Sequence, residues 1–372
     1  MKVTARPRQR NRGVTIADFA AKALCCRYAS VTGPPDAGIV LGRRTRVLVA
    51  CAAAVLPLAG AMARPAAPSD PGADARPNVI VIMTDDQTVD DLRVMPRTRD
   101  LLGGRGVTFD RSFVSYPVCC PSRATFLSGQ YAHNHHVLGL YPPTGGYSRF
   151  DASNSLPVWL RRAGYHTAHL GKYMNGYGTD TPATAPPGWS EWYGAVGNST
   201  YRMWGFKLNE NGRIRTYGRP LDHDPRKYQT DVLTRRALRV IAQQRTRSRP
   251  LYMSIAYLAP HHEAPGIRHA SGKLVRPAPR DAGALAHERL PRTPSFDEAD
   301  VSDKPAFIRR RRPLTHAQIA GMARHYRERQ ESLLSVDEGI ARLVAALKRT
   351  GQLAHTYILF TSNDVYLQGE HR

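Results

Sequence analysis

The chain has 372 residues, 42% of them apolar, enough for one large α/β domain or two smaller ones around a sizeable core, which excludes disorder throughout. It carries 53 basic against 30 acidic residues, a formal charge of +23, concentrated in "ARPRQRNR", "GRRTR" and the block Arg309 to Arg312. Neither zinc-finger spacing nor an aromatic RNA-binding signature accompanies this excess, so no nucleic-acid partner is expected. Solvated faces, an anionic lipid surface or an acidic polysaccharide remain.

In chain order, residues 1–40 read as a structureless leader. Residues 41–63 have the form of a secretion signal: Arg43, Arg44 and Arg46 are positive, Val47 to Leu58 are apolar, and Ala61-Met62-Ala63 offers a small-x-small cleavage site. A Pro/Ala/Asp linker follows over 64–76. The apolar run is too short to span a bilayer comfortably, so the expectation is export with cleavage near Ala63 and no stable membrane insertion. Arg43-Arg44 as a twin-arginine signal and "LVAC" as a lipoprotein box are weaker matches. Of the five cysteines, Cys25, Cys26 and Cys51 fall in this leader, which leaves Cys119 and Cys120 and no disulfide framework. That vicinal pair reads as a strained disulfide, two buried thiols or a group used chemically.

The run Val79 to Met83, bounded by Pro and by Asp85-Asp86, predicts a strand buried on both faces of a parallel sheet. "MPRTRDLLGGRG" reads as a helix with a glycine stop, "VTFDRSFVS" as the next strand, and Cys120 to Gln130 as a helix with Pro121 in its first turn. Helix and strand then alternate: "SLPVWLRRAG" and "YHTAHLGKY", followed by "DVLTRRALRVIAQQ" and "PLYMSIAYLAPHH". Residues 264–313 read as a long surface excursion, "THAQIAGMARHYRERQESLLSVDEGIARLVAALKRTGQ" as one or two helices, and "HTYILFTSND" as a last buried strand. The alternation predicts a doubly wound α/β fold, in which a site lies beyond the carboxyl ends of the strands.

Four such ends carry chemistry: Asp85 and Asp86, Lys172, His261 and His262, and Asn363 and Asp364. Paired carboxylates repel, and each pair alone is as readily a cap or a solvated turn. Two at neighbouring strand ends would make an oxygen nest for a hard cation, Ca²⁺ or Mg²⁺. Arg123, Lys172 and His261 are surface and capping groups if taken singly. Gathered at one site they would stabilise a sulfate or phosphate group.

The stretch Cys119 to Gly129, "CCPSRATFLSG", resembles the Cys-x-Pro-Ser-Arg signature of type I, formylglycine-dependent sulfatases, and differs at its end only by Ser128 in place of Thr. The resemblance runs from about Pro77 to the end of the chain. "HNHHVLG", "AGYHTAHLGKYMNGYG", "PPGWSEWYG" and "LLSVDEGIARLVAALKRTG" look most like the N-acetylglucosamine-6-sulfatase and extracellular heparan sulfatase branch. It implies an alkaline-phosphatase-like, mostly parallel sheet flanked by helices over residues 77–372, with the smaller C-terminal domain missing. Cys119 would be oxidised to formylglycine (3-oxoalanine) by a separate formylglycine-generating enzyme. A hydroxyl of the hydrated aldehyde would then attack the sulfur of a sulfated sugar or aryl sulfate. Asp85, Asp86, residue 119, Asn363 and Asp364 would hold Ca²⁺ rather than Mg²⁺. Arg123 would orient the diol, Lys172 would bind sulfate, and His261 would bind sulfate or assist the leaving oxygen. Asn175 would stand in for the family's His at position 174, which is Met here, and His262 is a further substrate-binding candidate. Cys120 would be idle.

Two departures follow. The family's Ser-Asp-Asn-Gly is Ser362-Asn363-Asp364-Val365 here, which exchanges acid and amide and loses a glycine. A second sulfate-contacting Lys is also absent before the chain ends at Arg372. A phosphodiester or phosphonate hydrolase of the same superfamily and an impaired glycan-binding remnant are the alternative readings.

Overall fold

The computed structural model describes residues 76–246 and 248–372. The leader, signal and linker expected over 1–76 lie outside the described residues but for Arg76.

Seven strands form one mixed sheet: β1 (Asn78–Asp85), β2 (His166–Gly171), β3 (Glu191–Ala195), β4 (Phe206–Glu210), β5 (Arg213–Tyr217), β6 (Leu251–Pro260) and β7 (Thr356–Ser362), in the order β5-β4-β3-β2-β6-β1-β7. The pairs β1·β6, β1·β7, β2·β6 and β2·β3 are parallel, whereas β3·β4 and β4·β5 are antiparallel. Burial on both faces makes β1 and β6 near-continuous apolar runs, as expected of central parallel strands.

Helices cover both faces. The amphipathic α3 (Gln229–Gln244) and the long α4 (His316–Arg349) pack Val232, Leu233, Ile241, Val336, Ile340 and Leu343 against Ile80, Ile82, Met253 and Ile255. On the other face α1 (Cys119–Ser128) places Cys120, Ala124 and Leu127 in a cluster with Trp189, Trp192 and Tyr252, close to the short α2 (Leu156–Arg162). Full burial of each large apolar side chain contributes about 1.5–3 kcal/mol. A capping box starts α4, in which Thr315 Oγ1 accepts the Gln318 N–H at 3.2 Å and Gln318 Oε1 accepts the Thr315 N–H at 2.8 Å. The "one or two helices" of the sequence are thus a single helix of 34 residues.

One expected strand does not form. "VTFDRSFVS" is irregular, with Val107, Phe109 and Phe113 exposed. Its alternating pattern is that of a strand, but β6 and β7 already occupy both edges of β1, and the segment pairs with no strand among the described residues. The 264–313 excursion is largely irregular as expected, with short helices at Pro265–Ser271 and Ala306–Arg309.

Candidate active site

Parallel pairing brings the carboxyl ends of β1, β2, β6 and β7 to one edge of the sheet, and every strand-end candidate lies there. β2 reaches β6 closely because residue 171 is glycine: at φ +100° a Cβ would stand 2.0 Å from the Ala256 carbonyl oxygen. Lys172 follows, and its backbone N–H donates to Ala256 O at 3.0 Å. At the end of β1, Asp86 takes the left-handed conformation at φ 67°, which Asp tolerates better than most residues. Its N–H then donates to Asp364 Oδ1 at 3.0 Å, and its carbonyl accepts from Arg329 at 2.6 Å.

Asp85, Asp86, Asp364 and Cys119 each bring one donor atom into a cluster in which all four atoms lie within 4.8 Å of one another. Cys119 opens α1, so its side chain enters the cluster from a helix N-terminus. The Ser122 hydroxyl donates to the Asn363 carbonyl, which fixes α1 against the end of β7. Both cysteines are free, buried thiols, which removes the vicinal disulfide from consideration. Val365 is not among the residues with positive φ, so the lost glycine imposes no left-handed strain.

Cationic groups stand beside the acids. Lys172 Nζ donates to Asp85 Oδ2 and lies 4.7 Å from the centre of the Tyr201 ring. Arg123 donates to the Lys172 carbonyl at 2.8 Å and approaches Asp85 at 3.7 Å. His261 Nδ1 lies 2.6 Å from the His262 carbonyl, so the neutral ring carries its proton there and turns Nε2 toward Asp86 Oδ2, 3.7 Å away. Asn175 donates to the Tyr201 hydroxyl at 2.8 Å, and that ring packs 5.1 Å from His261. The His262 ring packs at a tilt of 33° against that of His261, 4.3 Å between centres, but is only half-buried.

Burial opposes ionisation of Asp85, yet Lys172 and Arg123 hold its carboxyl well below the usual range. Burial, then the charges of Asp85 and Asp364, push Asp86 up to about 8, and burial and Asp85 push Asp364 up as well. Burial and Lys172 hold His261 down at about 3, hence neutral. Burial and Asp85 push the Cys119 thiol up. Asp85 is therefore compensated from within the chain, while Asp86 and Asp364 are not. Asn363 Oδ1 is also buried without a donor among the described residues. Three carboxylates, two of them short of positive charge, with a further oxygen acceptor next to them, fit a hard divalent cation.

The structure thus gathers Asp85, Asp86, Cys119, Arg123, Lys172, His261, Asn363 and Asp364, with Asn175 in the wall and His262 at the margin. Sequence reasoning missed Tyr201 and Arg329. Tyr201 comes from a turn between β3 and β4. Arg329 is fully buried on α4, and its signal was the run "RERQES" on an otherwise core-facing helix.

Residues 77–370 match the family described as Sulfatase. The chain is similar to the N-acetylglucosamine-6-sulfatase of Homo sapiens, with 33% identity over 79% of this chain and 52% of that protein. It is also similar to the extracellular sulfatase SULF-1 homolog of Drosophila melanogaster, with 30% identity over 81% of this chain and 26% of that protein. The chain therefore spans about half or less of the length of these curated relatives. A solved structure of a protein in complex with its substrate D-glucosamine-2-N,6-O-disulfate superposes with a TM-score of 0.60 at 21% identity, covering 80% of this chain and 67% of that one. The mixed sheet flanked by helices is the alkaline-phosphatase-like fold that the solved sulfatases share.

Proposed function

The chain belongs to the sulfatase family, and from that premise we propose that it hydrolyses the sulfate ester of a sugar of the glucosamine 6-sulfate class. The observation that carries the reading is the meeting of Cys119, at the start of α1, with three carboxylates on one side and Arg123, Lys172 and His261 on the other.

In this reading Cys119 is converted to formylglycine by a separate enzyme that reads Cys-x-Pro-x-Arg, and its hydrated aldehyde supplies the nucleophilic oxygen. Asp85, Asp86, Asp364 and residue 119 hold Ca²⁺, with Asn363 beside them, and the cation supplies the positive charge that Asp86 and Asp364 lack. Arg123 is held by the Lys172 carbonyl and so presents its remaining N–H groups in a fixed direction toward residue 119 and the sulfate oxygens. Lys172 binds a sulfate oxygen, and its ammonium is kept in place by Asp85 and the Tyr201 ring. His261 faces the leaving oxygen with Nε2, its ring fixed by the His262 carbonyl. Asn175 and His262 contact the sugar. The pattern over 41–63 together with a relative named as extracellular supports export, and no helix of the described residues is long and apolar enough to cross a membrane.

The test is turnover by the full chain co-produced with a formylglycine-generating enzyme, on glucosamine 6-sulfate, 4-nitrophenyl sulfate and bis(4-nitrophenyl) phosphate. Sulfate esters are expected to be turned over faster. Faster turnover of the phosphate diester overturns the proposal.

A further inference from the structure

Beside the catalytic cluster lies a second cleft of about 460 Å³, lined by Thr179, Asn198, Ser199, Arg202 and Lys207 among others. That volume falls within the range of sites that hold small ligands. Two segments run between the cleft and the catalytic cluster. On one, Asn175 faces the catalytic side and Gly178 and Thr179 line the cleft. On the other, Tyr201 packs on Lys172 and His261, and the next residue, Arg202, lines the cleft.

The segments are tied together. Gly197 N–H donates to Tyr177 O at 2.9 Å, Val196 N–H to Lys207 O at 3.0 Å, and Lys207 N–H to Ser199 Oγ at 3.0 Å. Gly178, at φ +74°, lets them close, since a Cβ there would meet Val196 Cγ1 at 2.9 Å. The cleft is thus braced by backbone bonds.

Its cations lack counter-charge. Neither Arg202 nor Lys207 pairs with a carboxylate among the described residues, and Arg202 Nε is buried without a hydrogen-bond partner. The nearby Arg226 and Lys227, by contrast, are matched by Asp222 and Asp224. Lys207 is exposed and Arg202 half-buried, and the like charges of the two on one cleft leave an unmatched positive field that an entering anion offsets. Neutral hydroxyl and amide groups on the same wall suit a polyhydroxylated ligand.

We propose that this cleft binds a second anionic group, a carboxylate or a sulfate, on the sugar next to the one whose ester is cleaved. The chain is then selective for a polyanionic oligosaccharide over a monosaccharide. This rests on the sulfated-sugar reading and adds to it the adjoining subsite.

The test compares kcat/KM on glucosamine 6-sulfate with that on a tetrasaccharide of alternating uronate and glucosamine 6-sulfate, for the full chain and for Arg202→Ala, Lys207→Ala and Arg310→Ala. Arg310 is exposed in the 309–312 block and controls for lost charge alone. The tetrasaccharide-to-monosaccharide ratio is expected to fall about tenfold in Arg202→Ala and Lys207→Ala, the size of one charged hydrogen bond, and to hold in Arg310→Ala. A ratio unchanged in the first two, or lowered equally in all three, overturns the proposal. A tetrasaccharide with reduced carboxyl groups separates the sources: an advantage lost with the carboxyls assigns the cleft to uronate, and one retained assigns it to sulfate. If the unsubstituted chain turns over neither substrate, the catalytic reading fails on its own. Calorimetric binding of the tetrasaccharide then decides the cleft, with about tenfold weakening in Arg202→Ala expected and no weakening overturning it.

Discussion

Asn363 donates from its side-chain amide to Asp85 Oδ1 across 2.9 Å and so ties the end of β7 to the end of β1. The exchange of acid and amide at 363 and 364 therefore leaves a carboxylate in the cluster, supplied by Asp364, and turns the amide into a donor that steadies Asp85. Asp364→Asn removes one of the two uncompensated carboxylates. Calorimetric titration with Ca²⁺ is expected to show at least tenfold weaker binding in that variant. Asn363→Ala is expected to cost about 1–3 kcal/mol in urea unfolding, since Asp85 loses a buried donor. Ca²⁺ affinity unaltered by Asp364→Asn would remove that residue from the cation site.

The same charge imbalance sets a pH dependence. In the metal-free protein burial and the neighbouring carboxylates raise Asp86 to about 8, against an ordinary carboxyl value of about 4 once the chain unfolds. Between these values Asp86 binds its proton in the folded state and not in the unfolded one, so the stability this group contributes falls as the pH rises from about 4 through about 8. A bound divalent cation replaces that proton. Urea unfolding at pH 7, 8 and 9, above the range in which His169, His261 and His262, all held below their ordinary value, give the opposite slope, should therefore show a metal-free protein that weakens with pH and a Ca²⁺-loaded one that does so far less. Parallel curves with and without Ca²⁺ would contradict this assignment of charge.

The two cysteines are predicted to behave oppositely. Cys119 stands in the acidic cluster and Cys120 in the apolar one behind it, with Ala124 and Trp192. Cys120→Ala should leave the conversion of residue 119 intact and lower stability by about 1 kcal/mol, the cost of one small buried group. Cys119→Ala should abolish hydrolysis while the fold persists. Mass spectrometry of the peptide spanning residue 119, with thermal unfolding of both variants, checks the pair. An unconverted residue 119 in Cys120→Ala would show that the second cysteine takes part in recognition.

Much of the site was legible because the central strands are. The runs in β1, β2, β6 and β7 name their own carboxyl ends, and a parallel sheet must bring those ends together, so Asp85, Lys172, His261 and Asp364 could be grouped from sequence. The antiparallel edge β3–β5 was not legible, since strands of five residues rich in aromatic, glycine and charged positions show no clear period. "VTFDRSFVS" was misread for the converse reason: it has the period of a strand but finds no free partner. Tyr201 and Arg329 escaped because neither sits at a strand end. A turn carries one and the middle of a helix the other, and only the packed fold brings them to Lys172 and Asp86.

Behind His261, the irregular 264–313 segment is fastened by a buried ion pair. Arg276 donates to Glu263 at 2.6 and 2.7 Å through two nitrogens, and Glu263 also accepts the Met203 N–H at 2.7 Å. The same guanidinium donates to the Pro220 carbonyl at 2.8 Å and lies 4.9 Å from the centre of the Trp204 ring. Removing Arg276 leaves the Glu263 carboxylate buried and unmatched, so Arg276→Met is expected to destabilise by about 3–5 kcal/mol. Replacing both groups, as Arg276→Met with Glu263→Leu, removes the stranded charge and should cost clearly less than the two single changes added together. Glu263 lies two residues beyond His261, so loosening it should also lower kcat by displacing that ring. A double-mutant cycle read by urea unfolding decides the point: single changes that simply add would show that the two groups stabilise the segment independently and not as a pair.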